Sequence, residues 1–281
     1  MKIVSAKDAA RLYAPRPEWG KKGDFGRLLC IGGSDYYPTA PALVSLSAMK
    51  AGADWSYILA PERSSNICSS LSPNMMSYPL KGSFLKAKHA GFILSFLEKY
   101  DAAVIGNGLG RKKETQEAVR KILGKTSLPF VIDADAIHAV ARDAGILNER
   151  CLLTPHSNEF FALAGEKAEN EIRQRIDIVS GYAEKHGCTI LLKGHIDVIS
   201  DGRRVAINKT GCPQMAKAGT GDVLAGIAGA LLARHAKPFD AACSAAYLNG
   251  LAGEIAGKRY GESLLASDVI GCIHEALKML Q

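Results

Sequence analysis

The sequence has no unbroken apolar run approaching the ~18 residues that a membrane-crossing helix needs. Its start, Met1-Lys-Ile-Val-Ser-Ala-Lys-Asp8, lacks the apolar core of a signal peptide, so neither export nor membrane insertion is expected and the cytoplasm is the expected compartment. No Ser/Pro-rich linker or low-complexity stretch divides the 281 residues, which predicts one domain over 1–281. The seven cysteines stand singly, odd in number and without a Cys-x-x-Cys, which argues against a disulfide framework or a zinc site; most read as small core residues. There is no Gly-x-x-x-x-Gly-Lys-Ser/Thr, hence no P-loop. Gly32-Gly33-Ser34 and Gly106-x-Gly108 follow apolar runs, but neither completes the dinucleotide pattern Gly-x-Gly-x-x-Gly with an acid ~20 residues on. The net charge of +7 comes from scattered basic residues with no aromatic-interleaved patch, which fits a small polyanionic ligand as well as it fits nucleic acid.

What is present is alternation. The short apolar runs 28–31, 56–60, 102–105, 130–132, 151–154 and 189–192 read as buried strands. The longer patterns 42–51, 86–98, 115–123 and 170–186 between them read as helices, which predicts right-handed crossovers and a mostly parallel sheet with helices on both faces. Residues 198–200 and 204–207 flank Asp201-Gly202 as a hairpin, adding antiparallel strands at one end. Three helices follow, over 223–234, 239–257 and 267–280. In such sheets ligands bind beyond the carboxyl ends of the strands. Glycine or polar residues follow five of the runs there: Gly32-Gly33-Ser34, Gly106 to Gly110, Asp133-Ala-Asp135, Thr154 to Glu159 and Lys193-Gly194-His195.

Gly219-Thr220-Gly221-Asp222 opens the apolar run Val223–Ala233. A glycine turn at a helix start leaves backbone N–H groups unpaired and points the positive end of the helix dipole at a ligand, which suits a phosphoryl group. Asp222 there is either a simple helix cap or a general base beside the anion cradle, and the apolar helix behind it favours a buried, functional acid. His156 reads either as a satisfied histidine or as a site residue. Glu159 is a first-turn acid or the holder of magnesium-bound water. Lys193 is a loop lysine or a phosphate contact, and of Asp133 and Asp135 one is expected to hold loop backbone.

These stretches resemble the ADP/ATP-dependent NAD(P)H-hydrate dehydratases of the ribokinase-like superfamily. The resemblance runs in order through Lys22–Ser34, Ala40-Pro41, Ile105–Gly110, Ile132–Ala136, Leu153–His156 with Glu159, Leu192–Asp197, Gly219–Asp222 and Ala266–Asp268, over nearly the whole chain. It implies a three-layer αβα fold and a reaction in which a nucleotide drives dehydration of the S-form of NADH- or NADPH-hydrate. Asp222 would deprotonate the C6 hydroxyl, amides at Gly219, Thr220 and Gly221 would hold the developing charge, and phosphate would leave. The family pattern sets the substrate against Ala40, Gly108, His156 and Asp222, and the adenine nucleotide, ADP or ATP, against Lys193, Gly194, His195, Ile196, Asp197 and Gly221. Magnesium would be held through water by Glu159. A homotetramer and a separate hydrate epimerase are also implied, since the chain begins directly with the dehydratase-like part. Thr39 before Ala40-Pro41 and Lys217-Ala218 before the glycine turn depart from the pattern; Ala218 narrows the backbone angles at the cradle, and Lys217 is expected to add charge near the phosphates. A kinase of the same fold, such as a hydroxyethylthiazole kinase, and a non-catalytic nucleotide sensor are the alternatives.

Overall fold

In the computed structural model, which describes residues 1–280, ten strands form a single sheet. They are β1 (Lys2–Ile3), β2 (Arg27–Ile31), β3 (Trp55–Pro61), β4 (Met76–Leu80), β5 (Ala102–Ile105), β6 (Phe130–Ile132), β7 (Cys151–Leu153), β8 (Thr189–Leu192), β9 (Asp197–Ser200) and β10 (Val205–Asn208). Across the sheet the order is β1-β10-β9-β8-β7-β6-β5-β2-β3-β4. From β4 to β8 every pair is parallel; β9 runs antiparallel to β8, β10 antiparallel to β9, and β1 closes that end parallel to β10.

The helices are α1 (Ala6–Ala10), α2 (Ala40–Lys50), α3 (Glu62–Leu71), α4 (Ala90–Leu97), α5 (Lys113–Leu123), α6 (Asp135–Val140), α7 (Ser157–Ala164), α8 (Ile172–His186), α9 (Thr220–Ala233), α10 (Pro238–Tyr260) and α11 (Ala266–Lys278). Successive strand residues face opposite sides, so each central strand feeds two cores. Leu28, Cys30 and Val104 pack with Val44 of α2, Leu231 of α9, Leu248 of α10 and Ile273 of α11. Leu29, Ile31 and Ile105 pack with Ile93 of α4, Ile122 of α5, Phe160 of α7 and Val179 of α8 on the other face. The result is the three-layer αβα arrangement that the alternation predicts, and six of the seven cysteines are buried in it.

The differences lie at the edges. β4 contains Pro79, pairs only with β3 and is largely exposed, so it carries neither the unbroken apolar run nor the alternation that marks an interior strand. The expected helix over 86–98 is divided into a 3-10 turn at Ala87–His89 and α4. α3 is rich in serine, and Ser64 and Ser65 are buried by hydrogen bonds to Pro38 and Ser77 rather than by apolar periodicity.

Helix α9 lies close against its neighbours because it is built from small residues. A Cβ at Gly226 would overlap the Val44 carbonyl of α2, and one at Gly229 would press on Val104 of β5 and Leu28 of β2. Every residue of α9 from Val223 to Ala233 is buried, which leaves its first turn as the part that reaches the carboxyl edge of the sheet.

Candidate active site

The chain lays down β2, β3 and β4 in one direction and then returns to set β5 on the other side of β2. The crevice beyond the carboxyl ends of β2 and β5 is therefore a topological switch point, where open α/β sheets bind ligands. The loop after β5 crosses it. Gly108 has φ +72°, and a Cβ there would come within 2.7 Å of the Tyr37 carbonyl and 3.0 Å of Ala40 Cβ, so glycine lets this loop close against the start of α2. A cavity of about 490 Å³ opens here, lined by Tyr37, Ala40, Gly108, Gly110, Arg111, Asp135 and Asp222. It unites three of the four residues expected at the substrate, Ala40, Gly108 and Asp222. Asp135 accepts from the Gly110 N–H at 2.8 Å and from Arg111 Nε at 3.0 Å, and so is the acid of the Asp133/Asp135 pair that holds loop backbone.

Gly219 caps α9 with φ +93°; a Cβ would meet Leu43 and Ala266 at 2.8 and 2.9 Å. The first bond into the helix is Val223 N–H to the Gly219 carbonyl at 3.1 Å. Among the described residues no acceptor meets the N–H groups of Gly219, Thr220, Gly221 and Asp222, an open row at the positive end of the helix that includes the three amides expected there. The Thr220 hydroxyl does not join that row: it donates back to the carbonyls of Met215 and Lys217 at 2.8 and 2.9 Å and fixes the turn.

Asp222 sits below this row in a network drawn from four strand ends. Its Oδ1 accepts from Asn107 Nδ2 at 2.6 Å, and the same nitrogen donates to Asp133 Oδ2 at 2.9 Å. Asp133 Oδ1 accepts from the Thr154 hydroxyl at 2.8 Å and from Lys193 Nζ at 3.0 Å, while Lys193 lies 3.9 Å from Glu159 Oε2. Burial, then the charge of Asp133, pushes the Asp222 pKa up to about 7, against the pull of Asn107 and Lys193. Burial likewise raises Glu159, opposed by Lys193. For Lys193 burial works against the charge, but Asp133 and Glu159 outweigh it and hold its pKa above the ordinary value. Lys193 is thus no free loop lysine: its ammonium is surrounded by carboxylates and lies beside Gly221, where a Cβ would stand 3.3 Å from Nζ.

The rest of the expected nucleotide set forms the turn between β8 and β9. Asp197 accepts from the Gly194 N–H and from Asn208 Nδ2, both at 3.0 Å, and burial pushes its pKa up to about 6. Arg175 of α8, buried, donates to the Lys193 carbonyl at 3.2 Å and braces the turn from beneath. Gly194 and His195 are exposed and Ile196 half-buried.

His156 stands off the cavity lining. It caps α7, its Nδ1 accepting from the N–H groups of Asn158 and Glu159 at 3.1 and 3.2 Å, which leaves the ring proton on Nε2, 3.4 Å from Glu159 Oε1. Glu159 Oε2 in turn accepts from the His156 N–H at 2.9 Å. Lys217 is held by the Glu262 carbonyl, at the 3-10 turn that ends α10, rather than over the glycine turn. Among the described residues no three His, Cys, Asp or Glu side chains converge as a metal cage.

Sequence reasoning missed Asn107, Thr154, Tyr37 and Arg111. Asn107 and Thr154 lay inside stretches already marked as following strands, but which of those residues face one another is set by strand order. Tyr37 and Arg111 sit in loops with no pattern to single them out.

The fold and site together define a class: open α/β proteins with an anion-accepting helix start beside a perturbed acid at the switch point. Comparison narrows it. The family described as NAD(P)H-hydrate dehydratase matches residues 28–275, and the chain belongs to that family. It is 43% identical over 274 residues to the bifunctional NAD(P)H-hydrate repair enzyme Nnr of Pyrobaculum aerophilum, covering 95% of this chain and 54% of that protein. The chain thus spans about half the length of such bifunctional relatives. Against the ADP-dependent (S)-NAD(P)H-hydrate dehydratase of Cenarchaeum symbiosum it is 36% identical over 282 residues, covering 99% of this chain and 97% of that protein. The fold matches the Bacillus subtilis ADP/ATP-dependent NAD(P)H-hydrate dehydratase co-crystallised with ATP/Mg2+ at a TM-score of 0.85 and 26% identity, covering 100% and 99% of the two chains. A ribokinase-like superfamily protein from Enterococcus faecalis matches at 0.86 and 25%. The architecture is ribokinase-like.

Proposed function

We propose that the chain dehydrates the S-form of NADH- or NADPH-hydrate at the expense of a nucleotide, restoring the reduced dinucleotide. One observation carries the reading: Asp222, with its pKa near 7, lines the cavity at the foot of an unpartnered row of amides. A base works best when its pKa lies near the working pH, and developing phosphoryl charge is best met by donors already in place. Asp222 takes the proton of the ring C6 hydroxyl as that oxygen attacks the terminal phosphoryl group. The amides of Gly219, Thr220 and Gly221, with that of Asp222 and the Lys193 ammonium, stabilise the transferring group. The C6–O bond then breaks, pushed by the ring-nitrogen lone pair; phosphate leaves and loss of the C5 proton restores the dihydropyridine.

The names of the archaeal relatives favour ADP as donor, with ATP the alternative. Lys193 to Asp197 and Gly221 form the proposed nucleotide face, with magnesium carried on the phosphates and met through water by Glu159. His156, whose side chain is about half exposed, is proposed to meet the substrate beyond the cavity; the His156→Ala variant then raises KM, whereas a capping role alone costs about 1 kcal/mol of stability and leaves KM unchanged. A homotetramer and residence in the cytoplasm complete the proposal. Purified S-hydrate with magnesium and ADP or ATP should regain the absorbance of the reduced nicotinamide on addition of the protein. No recovery with either nucleotide contradicts the reading.

A further inference from the structure

Asn107 follows β5 at the switch point and is 2% exposed. Its Nδ2 lies between two carboxylates, 2.9 Å from Asp133 Oδ2 and 2.6 Å from Asp222 Oδ1. Its Oδ1 is buried and meets no partner among the described residues. The amide orientation follows from the chemistry, because a flip would turn the oxygen onto two carboxylate oxygens. An orphaned buried acceptor is a cost, and here it is accepted so that both amide protons serve acids.

Asp133 is itself fixed, since Thr154 and Lys193 hold its other oxygen. It stands at the end of β6 and cannot follow α9 if that helix shifts. Asn107 is therefore the link by which the rigid strand ends reach the acid on the helix. The charged groups that act most on Asp222 come from three elements, Asp133 after β6, Lys193 after β8 and Glu159 on α7, and Arg111 and Asp135 line the cavity beside it. Of these, Asp133 and Glu159 oppose ionisation of Asp222, and Lys193 favours it together with the neutral Asn107.

We propose that Asn107 is a positioning residue for Asp222: by donating to Oδ1 it fixes the carboxylate, favours its unprotonated form and leaves Oδ2 to take the substrate proton. The role rests on Asp222 acting as the base of the proposed dehydration. A hydrogen bond to the charged form of an acid lowers its pKa, so its loss lets burial and Asp133 drive protonation further. Asn107→Leu keeps the size of the side chain and deletes the donor. Asn107→Asp keeps the shape and adds a further carboxylate.

The test is the pH dependence of kcat and KM with S-NADH-hydrate, ADP or ATP and magnesium for wild type and both variants. Wild type should gain activity as pH rises through about 7. Asn107→Leu should move that rise upward by about one pH unit, lower kcat about fivefold at neutral pH and regain most of it in alkaline solution, with the nucleotide KM unchanged. Asn107→Asp should move it further, and it stands as the test if the leucine variant does not fold. A fall in kcat that is equal at every pH, or a rise that stays in place, overturns the proposal. If wild type shows no turnover, it is the dehydratase reading that fails. Carbon-13 NMR of the Asp222 carboxyl, assigned by its loss in Asp222→Asn, then decides the role of Asn107: the same upward movement of the titration supports it, and an unmoved titration overturns it.

Discussion

Asp222, the proposed base, lies in a place that disfavours its charge. A carboxyl whose pKa stands at about 7 in the fold, against an ordinary value of 3.8, binds its proton more tightly folded than unfolded. Folding stability then falls as pH rises from the unfolded pKa toward the folded one, and the full cost is present above both. Asp222→Asn removes that dependence. The variant should be more stable than wild type by about 1–3 kcal/mol at pH 8 and nearly equal to it at pH 4, read from thermal or denaturant unfolding. The same variant should lose ~10²–10⁴ in turnover, the usual worth of a positioned general base. Full activity in Asp222→Asn would move the proton to another acceptor. The sequence singled this acid out as a candidate base, because a carboxylate heading an apolar Gly/Ala helix has few structural reasons to be there, and in the fold it lines the cavity. Its environment was not legible there: Asn107, Asp133 and Lys193 are 115, 89 and 29 positions away, and only the strand order brings them to one point.

Helix α9 is the element that sets the height of the anion cradle above the sheet. Gly226 meets the Val44 carbonyl of α2 and Gly229 meets Val104 and Leu28, so the helix has no room to rise or slide without losing packing. Gly226→Ala would push the Cβ into backbone that cannot rotate away. We expect a loss of about 2 kcal/mol or more in unfolding experiments, with weaker nucleotide binding as the first turn is displaced. An unchanged melting temperature would mean that α2 and α9 separate more easily than their packing implies. Most elements were readable from pattern alone: β5, β6 and β8 fall on the expected residues, since short apolar runs bounded by glycine or polar turns have few other solutions. Among those that escaped, β4 and α3 are held by edge pairing and serine hydrogen bonds, which leave no apolar period to read.

For the whole molecule, the site depends on strand ends gathered from β2, β5, β6, β7 and β8 together with α9. A ligand that bridges them should stabilise the folded chain as a unit. Magnesium-ADP at about a hundredfold excess over its dissociation constant should add about 2.7 kcal/mol to unfolding, and Asp222→Asn should retain that gain because the amide row and Lys193 remain. Loss of the gain in Asp222→Asn would make the acid a binding group rather than the base.

The proposed reaction is phosphoryl transfer to the substrate followed by elimination. The measurement that tests it most directly follows inorganic phosphate and reduced dinucleotide together in one reaction of wild-type protein with S-NADH-hydrate and limiting ADP or ATP. One phosphate and one NADH should appear for each nucleotide consumed. A stable phosphorylated product, or NADH formed without nucleotide consumption, would contradict the account.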